Sequence, residues 1–190
     1  MSFSGSVKQE LERCISPARH CQIAELSAIF SFCGEIQRTE EGQTFLCFST
    51  ENESVIRKCF TLLQKTFKID REISIDKRLI KRNNRFVIEV RGQEDTVRIL
   101  QAAKYLTADR QPMPCAALVN PLVIQKNCCR RAFLRGAFLC AGSISDPEKF
   151  YHFEIVCSTL SKAQQLQELV QSFDEELWYS TVDYVTVYGR

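Results

Sequence analysis

The chain has 190 residues, 45% of them hydrophobic and 25% charged, which suffices for one large domain or two small ones with real cores. Its 25 basic and 23 acidic residues give a formal charge of +2, so global attraction to a polyanion is excluded and only a local patch could bind nucleic acid. No apolar run reaches the length of a signal peptide or a membrane span, and a cytoplasmic protein is expected.

Ser6 and Gln9 form an S-x-x-Q box ahead of a short amphipathic helix in VKQELERC. SPARHCQIAELSAIFSFC reads as a second helix, with Ser16 as N-cap, Pro17 at the first helical position and a stop at the C-capping Gly34. EIQRT and QTFLCFST follow as two strands around the turn Glu40-Glu41-Gly42. Thr50 to Glu53 reads as a capping box for a helix running to about Lys68. REISIDKR and RFVIEVRG alternate apolar and polar residues and predict a second hairpin, with Asn83 and Asn84 suited to its turn. A helix from about Glu94 to Leu106 closes the first half. Between 107 and 127 periodicity is lost, and Pro112, Pro114 and Pro121 break any helix. The pattern then restarts: a helix at 128–141, a strand near 142–145, the strand YHFEIVCS, a helix at about 159–173, and the strands WYSTV and YVTVYG.

The restart is an internal repeat. A shift of 108 places Cys21 on Cys129, Ala24 on Ala132, Leu26 on Leu134, Ala28 on Gly136, Phe30 on Phe138, Gly34 on Gly142 and Ile36 on Ile144. Glycine inside a helix costs about 1 kcal/mol relative to alanine, so Gly136 calls for compensation. Small residues four apart share a face and let a second backbone approach closely. The two glycine-stopped helices are therefore expected to cross about a pseudo-two-fold axis, with Ala24, Ala28, Ala132 and Gly136 in the seam.

Ten cysteines and two histidines occur, without a CxxC pair. Zinc sites call for clustered thiolates and imidazoles at short spacing. On that criterion no metal site is expected, and the thiols read as small reduced hydrophobes on packed faces.

Two helices of the form L-x-G/A-x-x-x-x-x-G, each leading into two strands, a helix and two more strands, resemble the paired repeats of LAGLIDADG homing endonucleases. More specifically, CCRRAFLRGAFLCAGSISDPEKFYHFEIV, with MSFSGSVKQEL and CQIAEL, is similar to the N-terminal part of the WhiA family of bacterial cell-division and sporulation regulators. The resemblance implies an α+β fold of duplicated helix-strand-strand-helix-strand-strand repeats, two seam helices lying over saddle-like antiparallel sheets. The corresponding divisions are 1–106 for the N-terminal helix and first repeat, 107–127 for a connector, and 128–190 for the second repeat. WhiA proteins carry a helix-turn-helix domain after this region, and nothing in 1–190 reads as one, so the chain is expected to lack that reader. The implied partner is DNA, mainly through the absent domain, with transcription machinery or division proteins as further contacts. No membrane or cofactor is implied, and the location would be the bacterial cytoplasm at the nucleoid.

In active LAGLIDADG nucleases an acidic residue precedes the final glycine of each seam helix, and the two carboxylates hold divalent cations that activate water and stabilise the leaving oxygen. The matching positions here are Cys33 and Ala141. Alanine ligates nothing and a thiolate is a poor partner for magnesium, so no catalytic residue is expected. Glu35 and Asp146 are the nearest acids that could substitute.

The densest charge is DKRLIKRNNR, with Lys77, Arg78, Lys81, Arg82 and Arg85 as candidate DNA contacts. A solvated edge hairpin with protective cations explains the same residues. Residues 1–105 carry 17 basic and 14 acidic groups (+3) and residues 106–190 carry 8 and 9 (−1), so a saddle would be charged on one side only. Structural ion pairing is expected for Arg130, Arg131 and Arg135, and packing for Trp178 and Tyr179.

Overall fold

In a computed structural model, residues 2–69, 73, 75–80, 83–113, 118–149, 152–173, 178–182 and 184–189 are described, with backbone alone at Leu79 and beyond residue 173. The first repeat holds α2 (Arg19–Cys33), β1 (Gly34–Arg38), β2 (Thr44–Thr50), α3 (Glu53–Phe67), β3 (Asp76–Ile80), β4 (Asn83–Val90) and α4 (Gln93–Ala102), preceded by α1 (Phe3–Arg13). The second holds α5 (Asn127–Ala141), β5 (Gly142–Ile144), β6 (Phe153–Cys157), α6 (Leu160–Gln171), β7 (Trp178–Val182) and β8 (Tyr184–Gly189). Each repeat forms its own antiparallel sheet with the same strand order, β1-β2-β4-β3 and β5-β6-β8-β7.

Sequence boundaries shift where capping chemistry differs from the expected box. Ser2, not Ser6, caps α1 by accepting from the Gly5 amide at 3.1 Å, and the helix starts earlier than VKQELERC. α2 begins at Arg19 rather than Pro17, because Ser16 Oγ accepts from the Ala18 amide in a turn ahead of the helix. Asn52, not Thr50, caps α3 by accepting from the Ser54 amide at 2.9 Å. α4 ends at Ala102, before the expected Leu106, since Lys104 takes a left-handed φ of 62° and the Tyr105 and Leu106 amides turn back onto the Leu100 carbonyl. Asn83 and Asn84 pair with Ile80 and Leu79 as strand residues instead of forming the turn. The start of REISIDKR at 71, 72 and 74 lies outside the described residues, as do the side chains of Trp178 and Tyr179.

Both seam helices stop at glycine, but not for the reason capping rules suggest. Gly34 and Gly142 are extended, with φ of −101° and −83°, so neither is a left-handed cap. A Cβ at either position would meet the ring of Phe30 or Phe138, four residues back. Those rings occupy equivalent places: Phe30 packs edge-on against Phe48 and Tyr105, and Phe138 stacks on Phe153. The glycines are small so that each helix can end tightly against its own aromatic.

The apolar faces close two cores. One, centred on Ile29, Phe48, Leu62, Leu63, Phe67 and Ile88, lies mainly in the first repeat and takes in Leu139 of α5. The other, with Ala28, Phe133, Ala137, Ile155 and Leu166, includes the seam. The connector contributes to the second: Leu118 and Val119 are buried, their amides donating to Gln165 Oε1. α1 touches both repeats, with Leu11 against each core and Ser4 Oγ accepting from the Ile144 amide.

Candidate nucleic-acid interface and the two ends of the seam

α2 and α5 pack along their length, and their small residues stand at the contact. Ala24, Ala28 and Ala132 are no more than 1% exposed. A Cβ added to Gly136 would sit 2.8 Å from the Glu25 carbonyl oxygen and 2.9 Å from Ala28 Cβ, so the helical glycine is required by the approach of the other backbone.

Beside this contact lies an ionic group that sequence patterning does not reveal. Glu25, fully buried, accepts two hydrogen bonds from Arg135, Nε to Oε1 and Nη2 to Oε2, both at 2.8 Å. Lys58, also fully buried, approaches the same carboxylate at 3.0 Å and donates to the Leu11 and Cys14 carbonyls. Burial pulls the Lys58 ammonium below its ordinary pKa against the opposing pull of Glu25, whereas the bond to Glu25 raises Arg135. The triad joins α2, α3 and α5 and anchors the chain leaving α1. Arg130 donates to the Ile124 carbonyl and Arg131 lies 5.6 Å from the Phe173 ring centroid, so both hold the connector and α6 side.

At the C-terminal ends of the seam, Cys33 and Ala141 occupy the last helical positions. The Cys140 thiol hydrogen-bonds to Cys33 and holds it below the usual thiol range, while that bond and burial push Cys140 well up. Glu35 is exposed and accepts from Gln37 at 3.3 Å; Asp146 accepts from the Glu148 amide and faces Lys149 at 3.9 Å. Each acid is thus engaged in its own local contacts. An open groove beside this end is lined by Cys33, Glu35, Ser49, Glu51, Asn83 and Arg85.

The basic hairpin borders that groove. Lys77 is exposed, with Nζ 5.7 Å from the Phe86 ring centroid. Arg78 is held between Glu89 at 2.5 Å and Asp76 at 2.9 Å, and these bonds raise its pKa while lowering that of Glu89. Arg85 donates to Ser49 Oγ and the Ser49 carbonyl at 2.8 Å and pairs with Glu51 at 3.4 Å. Lys81 and Arg82 lie outside the described residues.

At the N-terminal ends of the same helices, thiols and an imidazole that lack metal-site spacing along the chain lie together in space. His20, Cys21, Cys128 and Cys129 come together, their ligating atoms all within 4.8 Å of one another. Spacing along the chain concealed this, because half of the group comes from each repeat. Among the described residues no other set of three or more His, Cys, Asp or Glu is grouped in this way, the C-terminal ends of the seam included. No helix among those residues is long and apolar enough to cross a membrane.

Comparison with known proteins gives matches to the WhiA N-terminal LAGLIDADG-like domain over residues 19–105 and to the WhiA LAGLIDADG-like domain over 130–188. "Probable cell division protein WhiA" of Lachnoclostridium phytofermentans is 44% identical over 173 residues, covering 91% of this chain and 55% of that protein. Its namesake from Lachnospira eligens is 39% identical, with 91% and 54% covered. The chain therefore spans about half the length of the curated relatives it matches. Full-length DUF199/WhiA from Thermatoga maritima superposes with a TM-score of 0.69 at 19% identity, covering 99% of this chain and 57% of that one. I-DmoI in complex with DNA and Mn superposes with a TM-score of 0.59 at 8% identity, covering 90% of each chain. These two likenesses show the fold: paired LAGLIDADG-type repeats.

Proposed function

The chain belongs to the WhiA family, and from that premise we propose that it is the non-cleaving LAGLIDADG-like part of a DNA-binding transcriptional regulator acting in bacterial cell division and sporulation. The reading divides the chain at 1–106, 107–127 and 128–190, with DNA recognition resting chiefly on a helix-turn-helix domain outside this sequence and the protein working at the nucleoid. The observation that carries it is the pair Cys33 and Ala141 directly before Gly34 and Gly142. Phosphodiester cleavage on this fold needs carboxylates there to hold magnesium, and a thiol with a methyl group supplies neither hard oxygen ligands nor the charge to retain the ion. The saddle then supports binding without cutting. Incubating the chain with supercoiled plasmid and a randomised duplex library in magnesium or manganese is expected to give no nicking. Metal-dependent nicking abolished by Glu35→Gln would contradict the reading.

A second reading, a protein-interaction scaffold that touches transcription machinery or division proteins but not DNA, draws on the hairpin. Arg78 and Arg85 are already paired with Asp76, Glu89 and Glu51. A phosphate would have to displace carboxylates from these two arginines, which weakens its gain. The salt dependence of DNA affinity separates the two readings.

A further inference from the structure

The His20, Cys21, Cys128 and Cys129 group is built by the duplication itself. The shift of 108 that superposes the repeats carries His20 onto Cys128 and Cys21 onto Cys129. The internal two-fold thus brings two equivalent dipeptides face to face in the first turns of α2 and α5. His20 Nδ1 lies 3.2 Å from Cys129 Sγ, 3.3 Å from Cys21 Sγ and 4.0 Å from Cys128 Sγ. In a tetrahedral zinc centre, with Zn–S of about 2.3 Å and Zn–N of about 2.0–2.1 Å, nitrogen and sulfur ligands stand roughly 3.5 Å apart. The three observed nitrogen–sulfur separations bracket that value, and all four atoms lie within 4.8 Å of one another. Cys21 and Cys129 are buried, whereas His20 and Cys128 are exposed, so an ion has a route in from one side.

The surroundings suit an anionic centre. A divalent ion with three thiolates and a neutral imidazole carries a net charge of −1, and helix N-termini favour negative charge. α2 and α5 both begin without a side-chain cap, at Ala18 and Lys126, and neither has an acid in its first turn. α1, α3 and α6 are capped by Ser2, Asn52 and Thr159, and α4, which also lacks a side-chain cap, carries Glu94 and Asp95 in its first turn. The soft donor set selects zinc over magnesium or calcium.

We propose that His20 Nδ1 and the sulfurs of Cys21, Cys128 and Cys129 form a four-coordinate structural zinc site that clamps the two repeats together at the N-terminal end of the seam. Binding displaces three thiol protons and changes no oxidation state. The site is independent of the nuclease positions, which lie at the other end of the same helices, and of whether the hairpin touches DNA.

The test is metal analysis of the reduced 190-residue chain, followed by replacement of the ion with cobalt(II). About one zinc per chain is expected, with the near-ultraviolet thiolate bands and intense visible bands of a tetrahedral cobalt–thiolate centre. Cys128→Ser and His20→Ala change exposed side chains and should leave the circular dichroism spectrum intact. Each should weaken metal binding by more than the roughly 10–100-fold that loss of an outer-shell partner costs. Cys14→Ser, an exposed thiol outside the group, should leave the cobalt spectrum unchanged. Absence of stoichiometric metal after zinc is supplied would overturn the site. So would a disulfide within the group in the chain purified without reductant, located by peptide mapping, or a wild-type cobalt spectrum in Cys128→Ser.

Discussion

The two ends of the seam descend from the same helices yet hold opposite chemistry. At the C-terminal end the last helical positions, before Gly34 and Gly142, carry Cys33 and Ala141, and the acids nearby, Glu35 and Asp146, are engaged with Gln37, the Glu148 amide and Lys149. At the N-terminal end one imidazole and three thiols converge from both repeats. A two-fold axis duplicates whatever a helix end presents, so either end can become a centre once each repeat contributes suitable donors. The contrast teaches that the two ends of one helix pair are free to carry different chemistry, because the crossing between them rests on the small residues Ala24, Ala28, Ala132 and Gly136.

Between the ends lies the Glu25–Arg135–Lys58 triad, and breaking it should have the largest effect. Glu25→Ala leaves a buried ammonium and a half-buried guanidinium without their shared carboxylate, an expected loss of about 3–5 kcal/mol in urea denaturation. A cost below about 1 kcal/mol would mean that the triad does not hold α2, α3 and α5 together. Gly136→Leu comes next. Its Cβ alone would press on the Glu25 carbonyl, and overpacking of this kind costs about 1–3 kcal/mol. An unchanged melting temperature would show that the helices do not cross here. The C-terminal end should be the tolerant one: Cys33→Ala, in a half-buried position, is expected to cost about 1 kcal/mol or less. A larger destabilisation, or a weakened metal affinity at the proposed N-terminal site, would break the contrast between the ends.

The smallest stability effect concerns pH. Arg78, with Arg91 beside it, holds the Glu89 carboxyl below its ordinary value of 4.5. The ionised form is the stabilised one, so its contribution is fully present above about pH 4.5 and disappears as pH falls through the lower folded-state value. Denaturation midpoints measured from pH 6 to 3 should fall less steeply in Glu89→Gln than in the parent chain.

Much of the fold was legible because the repeat carries its own punctuation. Gly34 and Gly142 mark both helix ends, and the alternation in QTFLCFST and RFVIEVRG marks strands whose registers the sheets then realise. Helix starts were misread wherever an earlier or later side chain made the cap: Ser2 for Ser6, Asn52 for Thr50. Ionic and metal-ligating groups were opaque for a different reason. Glu25 meets Lys58 and Arg135 from far along the chain, and His20 meets Cys128 at a separation of 108 residues. Local spacing rules detect sites built within one turn or loop, whereas these are built by contacts between helices far apart in the chain, α2 with α3 and, across the repeats, α2 with α5. The repeat offset is the available signal, since the shift of 108 carries His20 onto Cys128 just as it carries the apolar positions onto one another.

The central claim, that a saddle without nuclease acids serves a DNA-binding regulator, is tested most directly by the salt dependence of DNA affinity. The measurement compares the chain with Arg78→Ala/Arg82→Ala at several salt concentrations, on more than one duplex sequence. If the hairpin touches phosphates, affinity should drop evenly across sequences, and the log–log slope should become shallower by roughly one unit for each phosphate no longer neutralised. Affinity and slope unchanged from the parent chain, with stability altered by no more than about 0.5 kcal/mol, would contradict DNA binding through this saddle and favour the scaffold.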